Sequence, residues 1–167
     1  MNVLIVYGSK RGSTAGLARM IGDALGSRDV HADVRPANAA GPVDSYDAVI
    51  VAGSLYANRW HRSARRFVRR KAAALRGRAV WLLSSGPLDD TARSGEVKPV
   101  PQVAKLAAMV GARDCITFGG RLAPDAAGFP ASAMAKTRAG DWRDPQQVSD
   151  FAARVATDLA KIEAMRS

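Results

Sequence analysis

Short apolar runs alternate with amphipathic stretches along the whole of this chain. Val3-Leu4-Ile5-Val6-Tyr7 is apolar without alternation, the pattern of a strand buried on both faces. A small-residue loop from Gly8 to Thr14 follows, and then Leu17, Ala18, Ile21 and Leu25 recur at helical spacing until the pattern breaks near Gly26. Residues 30–35 alternate as a half-exposed strand does, and the loop from Ala39 to Tyr46 carries Gly41 and Pro42. Ala48-Val49-Ile50-Val51-Ala52 predicts another fully buried strand, stopping at Gly53-Ser54.

A helix is expected from about Arg62 to Leu75. Ala64, Phe67, Val68, Ala72 and Leu75 share one face, and Arg65, Arg66, Arg69 and Arg70 the other. Ala79-Val80-Trp81-Leu82-Leu83 reads as the fourth strand and ends at Ser84-Ser85-Gly86-Pro87. A helix around 101–110 precedes a fifth strand at 115–118, which ends at Gly119-Gly120. The last helix has the clearest stripe, Val148, Phe151, Ala152, Val155, Leu159 and Ile162. Asp144 before Pro145 suits an N-cap and first turn, and Asp150 with Arg154 suits an i,i+4 pair.

Five alternations of strand and helix predict an α/β fold: a doubly wound, five-stranded parallel sheet with helices on both faces. No repeat, low-complexity tract or composition break divides the chain, so residues 1–167 read as a single domain. The stretch 119–143 is too long for an ordinary strand-to-helix loop and reads as an insert, with a short helix expected near 131–137.

Composition narrows the setting. The chain is 47% hydrophobic and 24% charged, as soluble globular proteins are. Its N-terminal apolar run ends at Gly8, too short for a signal peptide, and no run reaches the ~18 apolar residues of a membrane span. The single cysteine, Cys115, allows no internal disulfide, which fits a reducing cytoplasm. A cytoplasmic protein is expected, with peripheral attachment to the inner face of an anionic membrane as the membrane alternative. No His, Cys or carboxylate cluster has metal-ligand spacing, so no metal is expected. The net charge of +10 leaves two readings open: arginine decorating solvent faces, or attraction to phospholipid, nucleic acid or a polycarboxylate.

In an open parallel sheet, ligands bind beyond the carboxyl ends of the strands, near the switch in strand order. The first such loop is Gly8-Ser9-Lys10-Arg11-Gly12-Ser13-Thr14. It is neither Gly-x-Gly-x-x-Gly nor a nucleoside-triphosphate P-loop, and it lacks the carboxylates of a signalling receiver. It does set hydroxyls and glycines before a helix N-terminus, where free N–H groups favour an anion. A capped helix start and a phosphate site are both compatible with it. The second loop, Gly53-Ser54-Leu55-Tyr56-Ala57-Asn58-Arg59-Trp60-His61, offers Tyr56 and Trp60 either for stacking or for the core. The third, Ser84-Ser85-Gly86-Pro87-Leu88-Asp89, has in Gly86 a point where backbone could approach a ligand closely. His31 and Cys115 read as structural. His61 stands near the same edge, either solvated or placed to deliver a proton.

Ser9-Lys10-Arg11-Gly12-Ser13-Thr14, directly after an N-terminal strand, resembles the flavodoxin phosphate loop Ser/Thr-x-Thr-Gly-x-Thr. Arg11 departs from the usual hydroxyl, exchanging a phosphate donor for charge. Gly53-Ser54-Leu55-Tyr56-Ala57, Arg59-Trp60-His61 with the Arg-rich helix, Phe118-Gly119-Gly120-Arg121-Leu122 and Gly140-Asp141-Trp142-Arg143-Asp144 extend the likeness over nearly the whole chain. They are similar to the flavodoxin-domain branch that includes menaquinone-dependent protoporphyrinogen oxidase.

The resemblance implies FMN as cofactor. Its phosphate would be held by Ser9, Lys10, Arg11, Gly12, Ser13 and Thr14. Its ring would be flanked by Ser54, Leu55, Tyr56, Ala57, Asn58 and Trp60, and by Ser84, Ser85, Gly86 and Asp89. It also implies an FMN-dependent oxidoreductase that oxidises an anionic, porphyrinogen-like substrate or reduces a quinone, with Arg62, Arg65, Arg69 and Arg121 flanking the flavin edge. A small FMN electron-carrier flavodoxin is the second reading; such carriers are usually acidic, and +10 is the wrong sign for their basic partners. Nothing beyond charge argues for the third, a basic nucleic-acid-binding module.

Overall fold

Near their carboxyl ends the parallel strands align Gly8, Gly53, Ser84 and Thr117 in one row of mostly small and polar residues. The computed structural model describes residues 1–10, 12–86, 92, 97–122 and 139–167. In chain order these form β1 (Asn2–Gly8), α1 (Ser13–Gly26), β2 (His31–Pro36), β3 (Ala48–Tyr56), β4 (Arg59–Trp60), α2 (Arg62–Arg70), α3 (Ala72–Leu75) and β5 (Ala79–Ser85). The rest are α4 (Pro101–Val110), β6 (Asp114–Phe118), β7 (Arg121–Leu122), β8 (Gly140–Asp141) and α5 (Pro145–Arg166).

Five strands pair in parallel in the order β2-β1-β3-β5-β6. The chain leaves β1 for β2 on one side and then crosses back to β3 on the other, so the switch point lies between β1 and β3. Gly8 pairs with Gly53, Gly53 with Ser84, and Ser84 with Thr117, one row across the sheet. The apolar runs explain why both faces are covered. Val3, Ile5, Ile50, Ala52 and Leu83 pack under Leu17 and Ile21 of α1 and Phe151 and Val155 of α5. Leu4, Val6, Val51 and Leu82 pack under Phe67, Val68, Leu75, Val103 and Leu106 on the opposite face. Phe118 meets Phe151 edge to face, with ring centroids 5.8 Å apart. The expected doubly wound α/β sheet is therefore present.

Several boundaries differ from the sequence expectations, each for a pairing or packing reason. The third strand does not stop at Gly53-Ser54. It continues to Tyr56 and folds back through Ala57-Asn58 into β4, a sixth, antiparallel strand pairing Leu55 with Trp60 and Tyr56 with Arg59. Ala57 and Asn58 have φ of 47° and 58°, the two positive values a two-residue type I′ hairpin requires. Likewise β5 includes Ser84 and Ser85, because β6 offers Thr117 and Phe118 as pairing partners.

The helix expected through Leu75 bends at Lys71 (φ −101°, ψ 9°), which lets Leu75 reach the same core as Phe67 and Val68. Asp144 caps α5, accepting the Gln146 N–H at 2.9 Å before Pro145 starts the first turn. Asp150 accepts from Gln146 Nε2 at 2.8 Å, one turn back, rather than pairing with Arg154. At the ends of the long insert, β7 and β8 form an antiparallel ribbon, and the Trp142 N–H donates to Gly120 O at 2.9 Å. The short helix expected at 131–137 lies outside the described residues. Among those described, no helix is long and apolar enough to cross a membrane.

Candidate functional site

A cleft of about 510 Å³ opens at the carboxyl edge of the sheet, over the switch point between β1 and β3. Its inner end is the turn from β1 into α1. Gly12 sits there at φ 82°, a left-handed position that glycine adopts without a β-carbon penalty. Ser9 Oγ accepts the Gly12 N–H at 3.1 Å, and Ser13 Oγ accepts the Arg121 N–H at 2.8 Å. No side chain caps α1 and no carboxylate occupies its first turn. Thr14 is 0% exposed, and its hydroxyl has no hydrogen-bond partner among the described residues. A buried hydroxyl is costly when unpaired. Beside an uncapped helix N-terminus, this one marks a place for an anion.

The β3–β4 hairpin forms one wall. Tyr56 is 51% exposed at its tip, leaving a ring face available to a ligand. Trp60 does not share that role. It is 1% exposed, its indole fills the space above Gly53, and its Nε1–H donates to Leu83 O at 3.1 Å. The stacking surface expected at Trp60 is thus in the core, because Gly53 leaves a hollow that the indole fills. Ser85 and Gly86 also line the cleft, where Gly86 packs against Leu55: an added β-carbon would lie 2.8 Å from Leu55 Cβ.

The start of α2 supplies the charge. His61 is its N-cap, with Nδ1 accepting the Ser63 N–H at 3.2 Å and lying 2.8 Å from Ser63 Oγ. Burial, and then the nearby Arg65 guanidinium, hold the imidazole below its ordinary pKa, so His61 is biased toward neutral. Arg65 Nε is buried and has no partner among the described residues. Between Asp47 and Asp89 the sequence contains no carboxylate, so nothing in this segment neutralises Arg59, Arg62 or Arg65.

A family model described as "Flavodoxin domain" matches residues 4–158. The chain belongs to the flavodoxin-domain family. No curated protein matches it. Among solved structures it is similar to the TIGR4 flavodoxin of Streptococcus pneumoniae, at 18% identity and TM-score 0.62, covering 95% of this chain and 99% of that one. Oxidised flavodoxin 2 of Bacillus cereus gives the same identity, TM-score and coverages. Rubredoxin:oxygen oxidoreductase from Desulfovibrio gigas matches at 15% identity and TM-score 0.56, covering 92% of this chain but 36% of that one. At these identities the likeness establishes the fold.

FMN is the cofactor that membership of the flavodoxin-domain family implies, and this cleft fits it. The uncapped helix start and the orphaned Thr14 hydroxyl suit the phosphate, and exposed Tyr56 suits the ring. Of the residues expected in the phosphate loop, Ser9, Lys10, Ser13 and Thr14 line the cleft. Gly12 shapes the loop from behind, and Arg11 lies outside the described residues. On the hairpin wall Ser54, Leu55, Tyr56 and Ala57 line it, Trp60 does so at its floor, and Asn58 serves the turn instead. Ser85 and Gly86 line the cleft, Ser84 is buried within the sheet, and Asp89 lies outside the described residues.

Arg62, Arg65 and Arg121 line the cleft, whereas Arg69 sits farther along α2 and does not. Arg59, Gly120 and Leu122 were absent from the sequence expectation. The two-residue pairing of Arg59 with Tyr56 is what brings Arg59 in, and a pair of residues gives no periodic signal. Exposed His31 lies 3.3 Å from Asp33, remote from the cleft. Half-buried Cys115 also lies elsewhere, its thiol pKa raised by burial and then by Asp114. No metal-holding group of His, Cys, Asp and Glu occurs among the described residues.

Proposed function

We propose that this flavodoxin-domain protein is an FMN-dependent oxidoreductase whose partner is an anionic small molecule or a quinone. The observation that carries the reading is the charge of the cleft. Lys10, Arg59, Arg62, Arg65 and Arg121 line it, and no carboxylate does so among the described residues. A site walled by cations attracts and orients anionic ligands, and its field acts over about 8–10 Å at moderate salt. A porphyrinogen bearing propionates is one molecule of the right chemistry.

Bound FMN would supply the electron chemistry, and the chain's residues set its surroundings. Ser9, Ser13, Thr14 and the α1 N–H groups would hold the phosphate, and Tyr56 would stack on the ring beside Leu55 and Gly86. The other cations of the wall, Arg59, Arg62 and Arg121, would stabilise negative charge on a reduced ring and so favour two-electron over one-electron chemistry. His61, held neutral with Nδ1 accepting its cap bond from Ser63, carries its proton on Nε2 and so presents an Nε2–H donor to the cleft.

A small electron carrier is the second reading, favoured by the near-complete overlap with free-standing flavodoxins. Photoreduction of the FMN-loaded protein separates the two. Bleaching in a single two-electron stage, followed by reoxidation by a water-soluble quinone, supports the oxidoreductase. Two resolved one-electron stages with no quinone reaction would favour the carrier.

A further inference from the structure

We propose that Arg65 of α2 is a ligand of the FMN phosphate, closing from a second helix the anion site that α1 opens. The inference rests on the FMN reading above and adds a residue outside the phosphate loop.

The first support is an unmet donor. Arg65 Nε is buried and without a partner among the described residues, and the side chain lines the same cleft as Ser9, Ser13 and Thr14. A second unmet group, the Thr14 hydroxyl, lines that cleft as well. One is a cationic donor and the other a neutral one. A phosphate dianion brings three acceptor oxygens and satisfies both kinds, favouring the charge-assisted contact.

The second support is placement. The first turn of α2 packs directly on the strand end that feeds the phosphate loop. A β-carbon on Gly8 would lie 2.6 Å from Ser63 Oγ, 2.9 Å from His61 Nδ1 and 3.0 Å from the Ala64 nitrogen. Only glycine lets the helix approach this closely. Helical side chains lean toward the helix N-terminus, so Arg65 leans back over that turn, and it lines the cleft that Ser9 also lines. Its charge is felt at His61, which touches Gly8. Tyr56, by contrast, stands beside the Ala57-Asn58 turn of the hairpin.

The third support is the donor set of the loop itself. Ser9 and Ser13 each accept a backbone N–H, which leaves their hydroxyl hydrogens as neutral donors, and Lys10 is exposed. Arg65 is the cation whose donor is held inside.

FMN and riboflavin share the ring and ribityl chain and differ by the phosphate, so comparing them isolates the contact. Dissociation constants for both are measured by flavin fluorescence on wild type, Arg65→Met and Arg65→Lys, with circular dichroism confirming the fold. The Met variant is expected to bind FMN at least tenfold more weakly while riboflavin changes less than twofold. The Lys variant should recover part of the loss, since charge returns without the planar fork. Equal weakening of both ligands would place Arg65 at the ring or in the scaffold and overturn the proposal. An unchanged FMN constant would also overturn it, as would a wild type that does not prefer FMN to riboflavin. Should the Met variant fail to fold, the Lys variant decides alone: a lower FMN-to-riboflavin preference supports the contact, and an unaltered preference refutes it. A wild type that binds neither flavin fails at the FMN reading itself, a result distinct from all of these.

Discussion

Trp60 occupies the space that a β-carbon on Gly53 would need: such an atom would lie 2.7 Å from the indole Cδ1. The pair locks the base of the β3–β4 hairpin to the sheet, with the indole nitrogen tied to Leu83 O. Gly53→Ala forces the indole out of its seat and is expected to cost about 1–3 kcal/mol, as overpacking does. Trp60→Phe removes the indole donor and leaves the Leu83 carbonyl short of a partner, with a loss of at least ~1 kcal/mol. Urea unfolding of both variants checks these values.

Tyr56 should respond in the opposite manner. Its exposed ring contributes little to the core, so Tyr56→Ala is expected to leave stability within about 0.5 kcal/mol. FMN affinity should fall roughly three- to tenfold, the value of about one aromatic contact. A thermal melt and an FMN titration on the same preparation separate the two effects. A large melting shift with unchanged affinity would return Tyr56 to the scaffold.

Thr14 offers a test in which stability and binding move in opposite directions. Thr14→Val keeps the shape and removes a buried hydroxyl without a partner. The apo protein is expected to gain up to about 1 kcal/mol, because that hydroxyl no longer needs satisfying. FMN should bind about tenfold more weakly, and riboflavin nearly as before. Denaturant unfolding without flavin, paired with both titrations, measures this trade.

His61 predicts a pH effect with a definite sign. Its folded pKa is lowered by burial and then by Arg65, so between that value and the unfolded value the unfolded chain binds more protons. Stability therefore rises with pH across that window and falls as the solution is acidified through it. Protonation also makes Nδ1 a donor and removes the cap bond from Ser63. His61→Asn keeps a capping acceptor without the titration and should flatten this part of the curve. Unfolding free energy measured from pH 5 to 8 on both proteins is the check.

Much of the fold was legible because its strongest signals are local. Runs such as 48–52 and 79–83 are too uniformly apolar for anything but buried strands in an alternating chain, and Asp144-Pro145 marks the start of α5 in its own chemistry. The hairpin was not legible. Its turn uses Ala57 rather than glycine at a positive φ, so the usual two-residue turn signal is missing. Trp60 was ambiguous for a tertiary reason, since an aromatic at a strand end stacks or buries according to whether a hollow lies behind it. Gly53 makes that hollow, and only the paired sheet shows the two residues facing each other. The phosphate end was readable from hydroxyls before a helix. Arg65 reads in sequence as an arginine on the outer face of α2, set near the flavin edge by the resemblance, and its buried Nε is a property of the packed cleft.

FMN titration of the purified apo protein, followed by quenching of flavin fluorescence, tests the central claim most directly. The site described here predicts saturable binding of one FMN per chain with a dissociation constant below about 1 μM, or roughly −8 kcal/mol. Absence of binding at ~100 μM, about −5.5 kcal/mol, would contradict it.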